Sequence, residues 1–527
     1  MRISGTEWRP AAPRIHLFAQ RTEPGIPRDH LRFIRSAAGL VALCAILLCA
    51  IVSFPAASPL AAQGTTAARG TPPATFTEPA TLLNLSSVPN TVEVELTAAP
   101  ERLTLVPGAR TAVLAYNGSV PGPTLEVTEG DRVIVRFRNE LDEPTTVHWH
   151  GLHLPFEADG SPFHPVAPGE EYVYQFTVPP GTAGTYWYHP HPHHRTGYQV
   201  GKGLHGAIVV RDPDDPLPAS LTERLIVLSD NRFGTDGEIH FAEEGSRQAR
   251  VDAENGREGD VHFVNGRILP ELDIRSGEVQ RWRVINASAA RTYRLALPGH
   301  TLLHVGSDGG LFERAVEVDE ILVAGGERVE LLVRGTGEPG ERTMLRSLPY
   351  DRYLPQTRPG NWTDTLDLAA VRYTGGPAIE AVELPGRLRA IPTLDTAQAQ
   401  GIRQMVLTKN RINGRMMEMD RVDQVARLGD TEIWEVENLV GMDHTFHLHG
   451  FQFQLLDRDG EPEPFPSWKD VVNVPKRSSV RFIVRFDNHP GKWMFHCHIL
   501  DHEDAGMMGV LEVRDASSST TSTQEKP

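Results

Sequence analysis

Cysteine is nearly absent from this chain: three residues in 527. Cys44 and Cys49 fall in one apolar run near the N-terminus, so the body of the chain keeps a single thiol, Cys497. A lone cysteine has no intrachain partner, and disulfides therefore do not hold this fold. Long helical periodicity is missing as well, which argues against an all-helical protein. An excess of basic residues is also missing. Lys and Arg number 52 against 68 Asp and Glu, a formal net charge of -16. Residues 1–63 carry seven arginines against Glu7, Glu23 and Asp29, a net of +4, so the remainder holds about -20. An acidic body argues against nucleic acid, which selects basic patches, and attracts cations in a general way. Methionine totals ten, too few for a long Met-rich insert.

The N-terminus reads as an export signal. Arg28, Arg32 and Arg35 precede an apolar, charge-free run that ends near the small residues Ala61 and Ala62. Residues 1–63 are therefore expected to be a removed leader, which predicts a periplasmic or extracellular protein. If uncleaved, the apolar part is long enough to anchor the chain in a membrane. No Arg-Arg pair precedes it, so the twin-arginine route is not supported. Cys44 and Cys49 lack the small residue expected before a lipidated cysteine.

The length suits roughly three domains, and a hydrophobic fraction of 40% allows sizeable cores. Residues 64–80 read as a Pro/Ala/Thr linker and 516–527 as a polar tail. Between them, runs such as "DRVIVRFRN", "EYVYQFTV", "RVELLVRG" and "SVRFIVRFD" alternate or carry β-branched residues, with Gly, Pro, Asn and Asp between them. The expected fold is all-β, built from Greek-key sandwiches. "DPDDPLP" at 212–218 and "TGGPAIEAVELPG" at 374–386 punctuate the chain, giving domains at 81–215, 216–380 and 387–515. One scheme recurs in "PGPTLEVTEGDRVIVRFRNEL", "LPELDIRSGEVQRWRVINAS" and "RVDQVARLGDTEIWEVENLV": an edge strand, a Gly turn, then a strand ending at Asn. Three copies of one sandwich are predicted.

Ten of the 22 histidines fall into four tight groups. "HWHG" holds His148 and His150, "WYHPH" holds His189 and His191, "HTFHLHG" holds His444, His447 and His449, and "HCHILDH" holds His496, His498 and His502. Side chains in a strand alternate faces, so each H-x-H pair presents two imidazoles to one side. One such pair is weak evidence; four pairs from both ends of the chain point to convergent metal ligands.

By the same alternation, His496 and His498 face one way and Cys497 the other, so one strand serves two metal sites. A thiolate with two imidazoles and a weak axial thioether is the blue-copper set. Cys497 supplies the thiolate. His444 and His502 can supply the imidazoles and Met507 the thioether, with Met508 the lesser choice. Eight histidines remain, enough for three more coppers. The backbone from Cys497 to His496 and His498 would conduct electrons between the sites.

These four motifs, in this order and spread over about 81–515, resemble those of the multicopper oxidases, most closely bacterial three-domain laccase-like and copper-efflux-type enzymes. The resemblance implies three linked cupredoxin-like domains and four copper ions. A type 1 copper would be held by His444, Cys497, His502 and Met507. A type 2 copper would be held by His148 and His447. A type 3 pair would take His150, His189, His191, His449, His496 and His498. The implied reaction couples one-electron oxidation of a phenolic or aromatic substrate to reduction of O₂ to water. The alternative is a cuprous, or metal-ion, oxidase. The expected partners are O₂ and a small-molecule or metal-ion reductant, with no nucleic acid, no membrane once the leader is removed, and a monomeric state. A copper carrier would need only the type 1 set, and a nitrite reductase would leave "WYHPH" and "HCH" in excess.

Thr445 stands where the family often has Pro. The axial Met, in place of the Leu or Phe of many fungal laccases, predicts a modest type 1 potential. Reducing O₂ to water consumes protons, so acids are expected nearby. Asp159 and Glu503 match such acids of the family. Asp470 and Asp504 are candidates to accept from ligand imidazoles. Asp443 is a candidate proton acceptor or cation attractor at the substrate edge. Met416, Met417 and Met419 are a candidate Cu(I) dock or, more simply, packing. His153, His164, His193, His194 and His205 lie near the motifs but are not needed as ligands. Sequons occur at Asn84, Asn117, Asn286 and Asn361.

Overall fold

The computed structural model describes residues 74–352, 363–377, 382–487 and 489–515. The leader with Cys44 and Cys49, linker residues 64–73, Asn361 and the tail 516–527 lie outside the described residues.

The short β-branched runs become strands, and helices are few and short. Among the described residues they are α1 (Thr196–Lys202), α2 (Arg247–Asn255) and α3 (Leu500–Asp504), with two single 3₁₀ turns. Among the described residues the strands form six sheets whose members fall into three sequence blocks, 91–211, 222–374 and 402–514, two sheets to a block. The expected cupredoxin-like sandwiches are therefore present. Their alternating apolar residues meet between the sheets: Val94, Leu96, Val133, Phe137 and Trp149 in the first block, Trp434, Phe446, Phe482 and Phe495 in the third.

The repeated scheme is visible strand by strand. Arg132–Asn139 pairs in parallel with Thr91–Leu103 and antiparallel with Glu171–Thr177. Val279–Asn286 does the same with Thr222–Asn231 and Arg328–Arg334, and Thr431–Asn438 with Ile402–Thr408 and Ser479–Arg485. The turns before them use Gly130, Gly277 and Gly429 at φ of 86°, 85° and 94°, a left-handed conformation that costs glycine little. Each terminal Asn then makes the same corner. Asn139, Asn286 and Asn438 are buried, and each Oδ1 accepts the N–H two residues on. Each Nδ2 donates to a nearby carbonyl and to a remote one. The Asn286 sequon is thereby closed to glycosylation in the folded chain.

Residues 74–80 of the expected linker run along the blocks. Glu271 N–H donates to Ala74 O (2.7 Å), Phe76 N–H to Glu271 O (2.9 Å) and Thr124 N–H to Ala80 O (2.7 Å). Among the described residues, no helix is long and apolar enough to cross a membrane.

Candidate metal centre

The strand His148–His150 lies antiparallel to Gly184–His189, with His148 opposite His189. In the third block His444–Leu448 lies antiparallel to Gly491–Cys497, with His447 opposite His496 and Phe446 opposite Cys497. Alternation then divides the side chains. Cys497 enters the apolar core of the third block with Phe446, Ile499 and Met507. Eight histidines meet where the first and third blocks face each other. His148 stacks on His449, ring centroids 3.9 Å apart, and His150 on His447 at 4.0 Å.

Hydrogen bonds to one nitrogen of each ring decide which nitrogen keeps a lone pair. His148 Nδ1–H donates to Asp159 O and His447 Nδ1–H to Asp470 O, both at 2.8 Å. The Nε2 atoms of both rings are buried without a partner. His449 Nδ1–H donates to Asp159 Oδ2 (3.0 Å) and His496 Nδ1–H to Cys497 O (3.2 Å). Yet the Nε2 atoms of these two rings lie 3.0 Å apart, and His191 Nε2 lies 3.3 Å from that of His496. Likewise His189 Nδ1–H donates to Pro190 O and His150 Nε2–H to Asp470 Oδ1, while His189 Nε2 and His150 Nδ1 lie 3.3 Å apart. Lone pairs at that separation repel unless a cation lies between them. Buried, facing lone pairs of this kind fit a metal ion. His498 has both nitrogens unpartnered and its ring 4.9 Å from that of His150. It belongs to none of the described sets of ligand atoms within 4.8 Å of one another. Burial holds all eight imidazoles below their ordinary pKa, so they are neutral, as metal ligands must be.

Two aspartates support this cluster in a symmetric way. Asp159 takes His148 on its main-chain carbonyl and His449 on its carboxylate. Asp470 takes His447 on its carbonyl and His150 on its carboxylate. Their charges differ. Burial, with no cation beside it, pushes Asp159 up to about 8. Burial pushes Asp470 up to about 6, where the paired Arg328 guanidinium keeps it ionised at neutral pH. Glu503 lies 3.2 Å from His496 Nδ1 and 3.5 Å from His191 Nδ1. Burial raises its pKa well above the usual carboxylate range. Asp504 does not reach a ligand ring. Its carboxylate accepts the Thr196 and Gly197 N–H groups at the start of α1.

A second site surrounds Cys497. His444 Nδ1 is 3.3 Å and His502 Nδ1 3.6 Å from Cys497 Sγ, and the two nitrogens are 3.3 Å apart. A buried triangle of one sulfur and two imidazoles fits copper. Burial, with a smaller contribution from Glu503, pushes the Cys497 thiol up to about 12, so the thiolate needs a cation to form. Met507 shares the Cys497 core, while Met508 packs on the other face with Met417, Met494 and Phe163. His502 Nε2–H donates to the Glu254 carbonyl at the end of α2 (3.2 Å). His444 and His502 are both buried. Asp443 is buried too and accepts from Tyr350 Oη, Asn473 Nδ2 and Lys476 N–H, so it does not face an open substrate edge. Met417 packs inside, whereas Met416 is 39% exposed beside the Gly506 turn. His153, His164, His193, His194 and His205 join none of the ligand sets.

Arg328 and the Glu254 carbonyl were not visible in the sequence. Arg328 opens a run that reads only as a strand, and a main-chain carbonyl carries no residue signal.

A buried cysteine with two imidazoles, joined by adjacent residues to a polyhistidine cluster within three cupredoxin-like sandwiches, fits a copper oxidoreductase. Three family models, each for multicopper oxidases, match residues 97–215, 239–376 and 389–517. The chain is 32% identical over 410 residues to multicopper oxidase mco of Staphylococcus haemolyticus, covering 76% of this chain and 83% of that protein. It is 28% identical over 477 residues to a laccase of Bacillus subtilis, covering 77% and 91%. A solved multicopper oxidase from Campylobacter jejuni, described as a metallo-oxidase, superposes with a TM-score of 0.76 at 33% identity, covering 84% of this chain and 96% of that one. The chain belongs to the multicopper oxidase family and is a copper-dependent oxidoreductase that uses O₂.

Proposed function

We propose that His444, Cys497 and His502, with the Met507 thioether, would hold a type 1 copper. His148 and His447 hold a type 2 copper, and the sets His150, His189, His498 and His191, His449, His496 hold a type 3 pair. Bound there, copper supplies one-electron oxidation at the type 1 position and four-electron reduction of O₂ to water at the cluster. The observation that carries this reading is the His449–His496 contact. Both Nδ1–H groups are committed elsewhere, and the two Nε2 lone pairs face each other at 3.0 Å.

The chain's own residues do the rest. Cys497 lies between His496 and His498, so covalent bonds would link the two copper sites as a path for electrons. Asp159 and Glu503 hold protons at carboxyl oxygens beside His449, His191 and His496, where O₂ reduction consumes them. Burial of the eight histidines excludes water. The proposed domain limits are 81–215, 216–380 and 387–515, consistent with the strand blocks. The proposed leader, 1–63, makes the enzyme an exported one.

The reductant proposed from the sequence is an electron-rich phenol or aromatic. One observation favours the second reading, a metal ion such as Cu(I). Both type 1 imidazoles are buried, and the Glu254 carbonyl closes the His502 edge, so neither ring offers an exposed edge to an aromatic substrate. Oxygen uptake by the copper-loaded enzyme decides this through kcat/KM for Cu(I) against that for a phenol. A wide margin for Cu(I) makes it a metal oxidase; a wide margin for the phenol without added copper makes it a laccase. Loss of the type 1 absorption and of turnover in Cys497→Ser, with cluster copper retained, tests the ligand assignment. Unchanged turnover would remove Cys497 from the path.

A further inference from the structure

The middle block supplies none of the proposed ligands, yet one of its side chains reaches the cluster. Arg328 is fully buried at the start of the strand Arg328–Arg334. Its Nη1 and Nη2 donate to the two carboxylate oxygens of Asp470, at 2.7 and 2.5 Å. Nε donates to Thr185 O (3.1 Å), Nη1 also to Gly326 O (3.0 Å) and Nη2 also to Asp308 O (3.0 Å). All five N–H donors of the guanidinium thus have acceptors, which leaves it one orientation. Asp470 passes that orientation on. Its Oδ1 accepts His150 Nε2–H and its carbonyl accepts His447 Nδ1–H. The fit around the pair is close. A Cβ on Gly151, the residue after His150, would lie 2.4 Å from Arg328 Nη2 and 2.5 Å from Asp470 Oδ2.

We infer that Arg328 is a positioning residue for the cluster. Through Asp470 it sets the rings of His150 from the first block and His447 from the third. The middle block thereby governs copper occupancy of the cluster without supplying a ligand. This rests on the ligand assignment proposed above. A lysine keeps the charge but is a point donor on a flexible stem, and cannot fill a planar five-acceptor fork.

The test compares wild type, Arg328→Lys and Arg281→Lys after reconstitution with copper. Arg281 is a buried arginine of the same sheet that pairs with Glu330 and Asp215 and touches no carboxylate that holds a ligand ring. The readouts are copper per chain, type 1 visible absorption, the type 2 EPR signal and the melting temperature of the copper-free proteins. Arg328→Lys is expected to keep the type 1 absorption while binding cluster copper roughly 10–100-fold more weakly, seen as loss of the type 2 signal. Arg281→Lys is expected to keep that signal even if it melts earlier. A wild-type type 2 signal in Arg328→Lys, or equal loss in Arg281→Lys, overturns the inference. If Arg328→Lys does not fold, Asp470→Asn takes its place. It keeps an acceptor for His150 but breaks the charged fork, and full cluster occupancy there overturns the inference as well. A wild type without type 2 and type 3 signatures would instead sink the ligand assignment, and the inference with it.

Discussion

Asp159 and Asp470 make the same pair of hydrogen bonds to opposite sides of one cluster, yet only one of them has a cation beside it. Asp470 is an anchored anion. Asp159 is free to carry a proton, and its burial favours the protonated form. Asp159→Asn keeps an oxygen acceptor for the neighbouring histidines but cannot exchange a proton. We expect it to retain copper and to lose kcat for oxygen uptake by about 10² or more, the low end of what a positioned acid contributes. Copper analysis with oxygen-electrode kinetics checks this, and unchanged uptake would exclude Asp159 from proton supply. At the second site Met507 sits in the Cys497 core and Met508 on the opposite face. An axial thioether lowers the potential of a thiolate–imidazole copper. Met507→Leu is therefore expected to raise the type 1 potential with the blue absorption kept. Spectroelectrochemical titration reads the change; a fall, or a wild-type potential already in the high fungal range, contradicts the assignment.

Single strands carried most of what the sequence made legible. Period-two alternation is local, so "HWH" and "HCH" disclosed which imidazoles share a face and that Cys497 points away from its neighbours. The turn glycine and the strand-ending asparagine were legible for the same reason, since both recur within each short motif, whereas the corner bonds that each asparagine makes were not. What stayed hidden depends on contacts between distant segments. Arg328 meets Asp470 across 142 positions and Glu254 meets His502 across 248, and no periodicity encodes either. Asp443 misled for a related reason. Its place beside His444 in sequence gave no sign that Tyr350, Asn473 and Lys476 bury it. The corners themselves allow a test. Asn438 satisfies the Met442 and Val474 carbonyls and the Val440 N–H from a buried position. Asn438→Ala leaves those groups unpaired, at about 1–3 kcal/mol for each one that water does not reach. We expect a clearly lower denaturant midpoint, with the type 1 absorption kept while the chain remains folded. A midpoint shift worth less than about 0.5 kcal/mol, as for an ordinary surface position, would mean the corner is ornamental.

For the whole molecule, the collection of so many neutral imidazoles makes stability depend on copper and on pH together. Ten histidines of the two sites are held below their ordinary value of 6.5 by burial, His189 and His502 at about 4. Between pH 6.5 and their folded values the unfolded chain binds more protons than the folded one. The stability these groups confer is therefore complete above about pH 6.5 and is lost as pH falls towards 4. Asp159, Asp470, Asp501, Glu503 and Asp504 act in the opposite sense, since their raised values make the folded chain the stronger proton binder as pH rises above the ordinary carboxylate range. The ten histidines outnumber these five acids. A histidine shifted from 6.5 to about 4 is worth roughly 3 kcal/mol, against a total of about 5–15 kcal/mol for a folded domain. The copper-free chain is therefore expected to lose melting temperature as pH falls below about 6.5. Copper takes the place of the protons and stabilises only the folded chain, so the loaded enzyme should hold its melting temperature to lower pH until protons displace the metal. Parallel melting curves from pH 8 to pH 4 measure both. If the copper-free curve is flat through that range, the imidazoles are already solvated or paired with one another's protons, and the picture of a preformed, dry, lone-pair-lined cluster is wrong.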